Sequence, residues 1–194
     1  MSTTEGVAGI GQRVNFEFQS LFKLTEKYYF TKIGKCLAIV DKKNKSVQVV
    51  LGPHFPGVLA ALGVLIMGSF TFDIIRRKNN FSVIHLFISI YLSIHTGIFL
   101  LIVALRDPGI LLNSEVRDDD VGDIQPYCDI CEVYQPDGTV HCESCDCCIE
   151  KLDHHCPWVG KCIGKKNKLP YVIFMGSWII YLLYFLAIAS SELF

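Results

Sequence analysis

The sequence has no excess of charge of one sign. Lys and Arg number 18 and Asp and Glu number 19, which gives a formal net charge of −1 at pH 7. The chain also lacks a basic stripe with interleaved aromatic residues, the pattern of a nucleic-acid interface. The net charge alone does not test nucleic-acid binding, but the missing basic stripe means that nucleic acid is not an expected partner.

Apolar residues are abundant instead, and they occur in blocks. Hydrophobic residues make up 51% of the 194 residues, and the mean hydropathy is +0.38. They are not spread along the chain at the period of an amphipathic helix or strand, as they would be in a soluble domain. Long apolar blocks are typical of membrane spans. The sequence therefore predicts an α-helical integral membrane protein.

Three of these blocks predict transmembrane helices. The first two, at about 56–75 and 81–105, form a transmembrane hairpin, and the third occupies 169–194. The second has no formal charge and is long enough to cross about 30 Å of hydrocarbon with some tilt. His85 and His95 lie within it, and we interpret them as neutral side chains satisfied by neighbouring helices.

The segments outside the spans are polar. Residues 1–55 form an amino-terminal segment, in which 36–40 and 46–51 favour a short β-hairpin. Residues 106–168 form the middle of the chain, which contains all but one of the cysteines. The acidic stretch 117–123 within it is typical of a solvated linker.

Positive charge predicts the orientation of the spans. Two spans separate the amino-terminal segment from the middle, so these two segments lie on the same side of the membrane. Together they hold 15 of the 18 Lys and Arg residues, which favours the cytosol by the positive-inside rule. Arg76, Arg77 and Lys78 lie on the opposite side and weaken this argument. Metal-binding cysteines survive best in the reducing cytosol, which supports the same orientation.

Eight of the nine cysteines lie between Cys128 and Cys162, mixed with three histidines. Cysteines and histidines at such short spacing indicate metal-bound thiolates rather than disulfides. Pairs of cysteines separated by two residues suit the turns that direct two sulfurs to one tetrahedral zinc ion. The spacing predicts two zinc sites without assigning their ligands. A zinc-bound fold without catalysis accounts for these residues as well.

The run Asp153-His154-His155-Cys156 suggests a second chemistry. A cysteine beside a histidine, with a carboxylate near that histidine, has the parts of an activated thiol nucleophile. A neighbouring imidazolium or a bound zinc ion would lower the pKa of the thiol. Adjacency in sequence does not establish geometry, so catalysis and zinc ligation both stay open on these residues alone.

The region from 127 to 167 resembles the cysteine-rich domain of the DHHC protein S-acyltransferases. The resemblance extends over roughly 56–190, since the order of two spans, a cytosolic loop and a third span also fits. It implies a loop-rich, two-zinc domain in the cytosol between the second and third spans. The motifs that carry it are Asp153-His154-His155-Cys156-Pro157-Trp158, Cys162, Asn167 and Asp107-Pro108-Gly109.

The resemblance implies a protein-cysteine S-palmitoyltransferase. Cys156 would attack the thioester of a long-chain acyl-CoA, with His154 as general base and Asp153 orienting it. The acyl group would then pass to a cysteine of a cytosol-facing membrane protein. The expected partners are therefore acyl-CoA, such protein substrates and the lipid bilayer. The expected location is an endomembrane (Golgi or endoplasmic reticulum) or the plasma membrane.

The same resemblance implies which residues bind zinc and acyl-CoA. One structural zinc would take Cys128, Cys131, His141 and Cys148, and the other Cys142, Cys145, His155 and Cys162, which leaves Cys147 spare. The residues expected to contact acyl-CoA are Trp158, Lys165, Lys166 and Tyr181, with Tyr181 at the deep end of an acyl cavity. The CoA phosphates could approach Lys161, Lys165, Lys166 and Lys168. A positive-inside flank explains these lysines equally well, and Tyr181 is equally compatible with an ordinary aromatic residue of the bundle.

Several positions depart from the family pattern. Lys161 stands where asparagine is usual, and Tyr171 replaces phenylalanine. Family members usually continue into a fourth span, whereas this chain ends at Phe194. The alternative hypothesis is therefore a truncated, catalytically impaired relative that acts as a zinc-bearing membrane adaptor. The adjacent Cys147 and Cys148 also suggest a third hypothesis, a redox-sensing or metal-sensing membrane protein.

Overall fold

Three long helices dominate the computed structural model, which describes residues 27–112 and 126–190. They are α1 (Phe55–Lys78), α2 (Val83–Leu105) and α3 (Lys168–Ser190). All three are long and apolar enough to cross a membrane, so the described residues contain the three long apolar helices that the sequence predicts. The amino-terminal 1–26, the predicted linker 117–123 and the last residues, 191–194, lie outside the described residues.

Polar side chains within the helices pair with one another. Nδ1 of His85 lies 2.8 Å from the Tyr184 hydroxyl, and Nδ1 of His95 lies 3.1 Å from Oγ of Ser177. Both contacts join α2 to α3, because each buried polar group needs a partner in an apolar environment. The interpretation of the two histidines as satisfied between helices is confirmed.

A three-stranded antiparallel sheet precedes the helices. Its strands are β1 (Tyr28–Ile33), β2 (Cys36–Asp41) and β3 (Val47–Leu51), in that order across the sheet. The predicted hairpin is confirmed as β2 and β3. β1 was not predicted from the sequence, although its aromatic and β-branched residues favour a strand. Sheet residues that face inward are Cys36, Ala38, Val40, Val47 and Val50.

The cysteine-rich segment contains three two-stranded ribbons joined by turns. They pair β4 (Tyr127–Cys128) with β5 (Val133–Tyr134), β6 (Val140–Cys142) with β7 (Cys147–Ile149), and β8 (His154–Cys156) with β9 (Lys161–Ile163). Ribbons of two or three residues are too short to be stable alone. Such a segment requires metal ions or packing against a neighbour to hold its shape.

Two apolar cores attach the cysteine-rich segment to the rest of the chain. In one, the inward face of the sheet packs on β7 and on Ile110, just beyond α2. In the other, residues of all three helices pack around the β8–β9 hairpin. The helices contribute Val58, Ala61, Leu100, Val103, Ala104 and Phe174 to this second core, and the hairpin contributes Cys156, Val159 and Ile163. Cys156 is therefore held where the helices meet the cysteine-rich segment.

Candidate functional site

Two Cys-x2-Cys turns have the same backbone conformation. The amide of Glu132 donates to the carbonyl of Cys128 at 2.8 Å, and the amide of Asp146 donates to that of Cys142 at 2.6 Å. Glu132 and Asp146 both have positive φ, at 53° and 57°. This repeated turn brings the two sulfurs of each pair towards one centre, as tetrahedral metal binding requires.

The register of the ribbons sorts the remaining ligands. On β6 and β7, His141 is opposite Cys148. On β8 and β9, His155 is opposite Cys162. Successive residues of a strand face opposite sides, so His141 and its neighbour Cys142 point to different clusters.

The two resulting clusters have the composition of zinc sites. Their ligand atoms lie within 4.8 Å of one another in each cluster. Nδ1 of His141 is 3.2 Å from Sγ of Cys131, and Nδ1 of His155 is 3.4 Å from Sγ of Cys145. Three sulfurs and one imidazole nitrogen are a donor set that zinc prefers. The clusters are Cys128, Cys131, His141 and Cys148, and Cys142, Cys145, His155 and Cys162.

The state of the cysteines agrees with metal binding. None of the nine forms a disulfide. Burial raises the pKa of Cys148 to about 12, so its thiolate needs a cation beside it. The spare Cys147 is 3% exposed and packs with Cys36 in the core below the sheet. Its neighbour Cys145 raises the pKa of the Cys147 thiol, which keeps it protonated.

Strand β8 also directs His155 away from His154 and Cys156. His154 and Cys156 occupy alternate positions on one face of the strand, while His155 faces the zinc cluster on the other. Nδ1 of His154 lies 3.5 Å from Oδ1 of Asp153. The Tyr171 ring stands edge-on to the His154 ring, with 5.4 Å between centroids. His154 is therefore supported on two sides.

Lys168 belongs to this group, a role that the sequence did not indicate. Its Nζ lies 3.0 Å from Oδ2 of Asp153. This lysine, followed by His154, lowers the pKa of the Asp153 carboxyl and keeps it ionised. We expected Lys168 near the CoA phosphates, and the structure instead pairs it with the carboxylate beside His154.

Cys156 borders an apolar cavity of about 480 Å³ between α1 and α3. The thiol residue itself is 7% exposed. Tyr181 lies one turn beyond Trp178 on α3 and is buried, with its hydroxyl 3.4 Å from Oγ of Ser69. The cavity is lined by Ala61, Val64, Cys156, Trp158, Tyr171, Phe174, Met175 and Trp178.

The remaining lysines lie away from this cavity. The expectation that Lys161 approaches CoA phosphates is wrong, because its side chain is fully buried and donates to the carbonyls of Val50 and Arg106 at 2.8 and 2.6 Å. Burial lowers the pKa of this amine to about 7. Lys165 and Lys166 line a second cavity and pair with Glu150 and Asp107, at 2.6 and 2.9 Å.

Two further motif residues hold loops around the site. Oδ1 of Asp107 accepts from the amides of Gly109 and Ile110, both at 2.9 Å. The side chain of Asn167 accepts from the amide of Gly164 at 2.8 Å and donates to the carbonyl of Cys162 at 3.0 Å. Asp107 thus shapes the loop that follows α2, and Asn167 shapes the turn between β9 and α3.

The helices and clusters together define a class: a cysteine- and histidine-rich domain that could hold two zinc ions, joined to helices apolar enough to span a membrane. Residues 122–194 match the model of the DHHC palmitoyltransferase family. This part of the chain is therefore similar to the domain of the DHHC-type S-acyltransferases.

Relatives from animals, fungi and plants are similar to part of this chain. Palmitoyltransferase ZDHHC9 of Pongo abelii is 40% identical over 72 residues, which are 37% of this chain and 19% of that protein. Palmitoyltransferase PFA3 of Kluyveromyces lactis is 40% identical over 68 residues, 35% of this chain and 21% of that protein. Protein S-acyltransferase 8 of Arabidopsis thaliana is 41% identical over 64 residues, 33% of this chain and 16% of that protein. The match spans about a fifth of these curated relatives.

Proposed function

We propose that this protein is a membrane-embedded protein-cysteine S-palmitoyltransferase that works through a thioester on Cys156. The observation that carries the proposal is the position of Cys156 between two features. One is an apolar cavity of about 480 Å³, and the other is His154 on the same face of β8. A thiol at the border of an apolar cavity can meet the thioester of acyl-CoA while the chain lies among apolar side chains.

The side chains support transfer of the acyl group in two steps. In the first step, Nε2 of His154 takes the Cys156 proton while Nδ1 faces Asp153. The sulfur attacks the acyl carbonyl, the bond from that carbon to the CoA sulfur breaks, and CoA leaves as a thiol after taking the proton. In the second step, the thiol of a substrate protein loses its proton to His154 and attacks the acyl-enzyme. Cys156 leaves and recovers that proton.

Two zinc ions would have a structural role here. The second cluster includes His155 and Cys162, on the two strands of the hairpin that carries Cys156. A metal ion that joins these strands holds the nucleophile against the helices, as structural zinc does in other small domains. His154, Asp153 and Cys156 remain for acyl transfer.

The membrane location follows from the acyl chain. Each buried methylene contributes about 0.8 kcal/mol, so a palmitoyl chain stays in the bilayer or in a cavity within it. We propose that the three helices cross an endomembrane or the plasma membrane with the cysteine-rich segment in the cytosol, where acyl-CoA and acceptor cysteines meet.

Trp158, at the cavity, is proposed to contact the acyl donor, and Tyr181 is proposed to limit the depth available to the acyl chain. Lys165 and Lys166, around a separate cavity, are proposed to contact the CoA phosphates only by releasing their carboxylate partners.

The first test is acyl loading of the purified protein with labelled palmitoyl-CoA. We expect hydroxylamine-sensitive label on the native chain and none on Cys156→Ser. Cys147→Ser is the matched control. Cys147 is buried in another core, so its substitution should leave acyl loading unchanged. Label that persists on Cys156→Ser, or none on a native protein that is folded and holds two zinc ions, would contradict the proposal. The second outcome would favour the zinc-bearing adaptor.

A further inference from the structure

We propose that His54 is a positioning residue for the second zinc cluster and, through it, for Cys156. His54 lies between β3 and α1, outside the region that matches the family. Its Nδ1 lies 2.9 Å from Nε2 of the zinc-cluster residue His155. The two rings meet edge to face, with centroids 5.0 Å apart and planes at 77°. The amino-terminal part of the chain thereby contacts a predicted metal ligand directly.

The direction of this hydrogen bond follows from the cluster. His155 turns Nδ1 towards the sulfurs of Cys142, Cys145 and Cys162, at 3.4 to 3.6 Å. When Nδ1 holds a metal ion, the remaining proton of the neutral ring is on Nε2. His155 therefore donates and Nδ1 of His54 accepts. An outer partner of this kind fixes the tautomer and the ring orientation of a metal-binding histidine.

Backbone contacts hold His54 in place. Its amide donates to the carbonyl of Gly160 at 3.1 Å. On either side, Gly52 and Gly57 lie so close to the hairpin turn that a methyl group on them would overlap the carbonyl oxygens of Gly160 and Pro157, respectively. The connection from β3 to α1 thus lies on the turn that follows Cys156. These contacts fix the backbone that carries the His54 side chain beside the Cys156 hairpin.

The two clusters differ in the partner of the histidine's outer ring nitrogen. The outer nitrogen of His141, in the first cluster, has the carboxylate of Asp146 at 3.7 Å, beyond hydrogen-bonding distance. The second cluster has a short contact from a residue that immediately precedes α1. Because His155 lies between His154 and Cys156 on β8, fixing its ring also fixes the face on which the nucleophile lies. Loss of the His54 acceptor should therefore weaken one zinc site selectively.

The test compares zinc retention in the full chain and its His54 variants. We expect His54→Phe to release one of its two zinc ions to a chromogenic chelator about 10–100-fold faster, with the other unchanged, as for loss of an outer partner. His54→Asn should restore slow release, because its Oδ1 stands as far along the side chain as Nδ1 of histidine and accepts the same hydrogen bond. The matched control is His85→Phe, which removes a histidine that contacts Tyr184. It should release both ions at the native rate.

Cadmium substitution identifies the site. NMR of the cadmium-loaded protein should give one resonance for each cluster, and His54→Phe should shift the resonance of the His155 cluster alone. Native zinc release from His54→Phe would overturn the proposal. So would equal defects in His54→Phe and His54→Asn, since ring packing would then be responsible. If His54→Phe does not fold, His54→Ala against His54→Asn makes the same comparison.

This inference rests on the zinc sites of the proposed function and not on acyl transfer. A native chain that binds no zinc at the His155 cluster would overturn both the site and the role of His54. A native chain that holds two zinc ions but takes no label from palmitoyl-CoA would overturn the transferase alone, and the zinc-release comparison would still decide the role of His54.

Discussion

At the scale of single residues, adjacent histidines have different surroundings because a strand turns successive side chains to opposite faces. His155 faces three cysteine sulfurs, whereas His154 faces Asp153 and Tyr171. From the sequence alone, either histidine could be a metal ligand or a general base. The alternation of side chains along the three residues of β8 places the two histidines in different surroundings.

This separation predicts opposite outcomes for the two histidines. His154→Ala should retain two zinc ions and lose about 10²–10⁴-fold in the rate of acyl loading, the usual contribution of a general base. His155→Ala should lose zinc as well as loading. The measurement is single-turnover loading with labelled palmitoyl-CoA alongside zinc content. Loading of His154→Ala at the native rate would exclude it as the base.

At the scale of elements, the start of α1 packs against the turn that follows Cys156. Gly57 has no room for a side chain there, because an added methyl would overlap the Pro157 carbonyl oxygen. Composition predicted that α1 is a membrane-spanning helix. Composition did not predict that the first turn of α1 contacts the turn after Cys156, because that contact joins residues about a hundred positions apart in the chain.

We therefore expect Gly57→Ala to displace the Cys156 hairpin and lower acyl loading at least tenfold. In an open helix, the same change would stabilise the protein by as much as about 1 kcal/mol. Gly63→Ala is the control on the same helix, because no atom outside its own stretch of helix lies within 4 Å of the added methyl. Loading rates and zinc content of the two variants are the measurement. Equal loading by both would show that the turn tolerates displacement of α1.

At the scale of the whole molecule, Lys161 joins three parts of the chain. It lies on β9 opposite Cys156, and its amine donates to the carbonyl of Val50 in β3 and to that of Arg106 at the end of α2. The sheet, the second helix and the hairpin that carries Cys156 thus meet at one buried nitrogen. These two hydrogen bonds explain how a lysine is accommodated at a fully buried position.

Lys161→Met should destabilise the protein by about 1–3 kcal/mol, because it leaves two buried carbonyls without a donor. Lys35→Met is the control, since Lys35 also donates to a carbonyl, that of Glu143 at 2.9 Å, but in an exposed position. Denaturant unfolding in detergent is the measurement. Equal stability of the two variants would contradict the joining role of Lys161.

The same residue predicts a dependence on pH. Burial lowers the pKa of Lys161 in the folded protein to about 7, below its ordinary value of 10.5. The charged amine therefore costs folding free energy below pH 7, and this cost disappears as the pH rises from 7 towards 10.5. The neutral amine still has protons for both carbonyls. The stability of the native chain relative to Lys161→Met should rise over this window, and a flat difference would mean that the amine keeps its ordinary pKa.

The sequence by itself determined the features that depend on residues close together in the chain. Apolar blocks predicted three membrane-spanning helices, and the cysteine and histidine spacing predicted two metal clusters. The family resemblance supplied the ligand sets that the ribbons bring together. Each is local, because hydropathy and ligand spacing act over one helix or one turn.

Only the tertiary structure decided the features that depend on distant partners. The burial of Lys161 requires carbonyls from β3 and α2, and the pairing of Lys168 with Asp153 requires the start of α3 beside β8. The contact of His54 with His155 requires the connection before α1 to lie on the hairpin turn. The sequence does not distinguish a solvated lysine or histidine from a buried one. The packing of distant segments decides whether water is removed from the side chain and which residue becomes its partner.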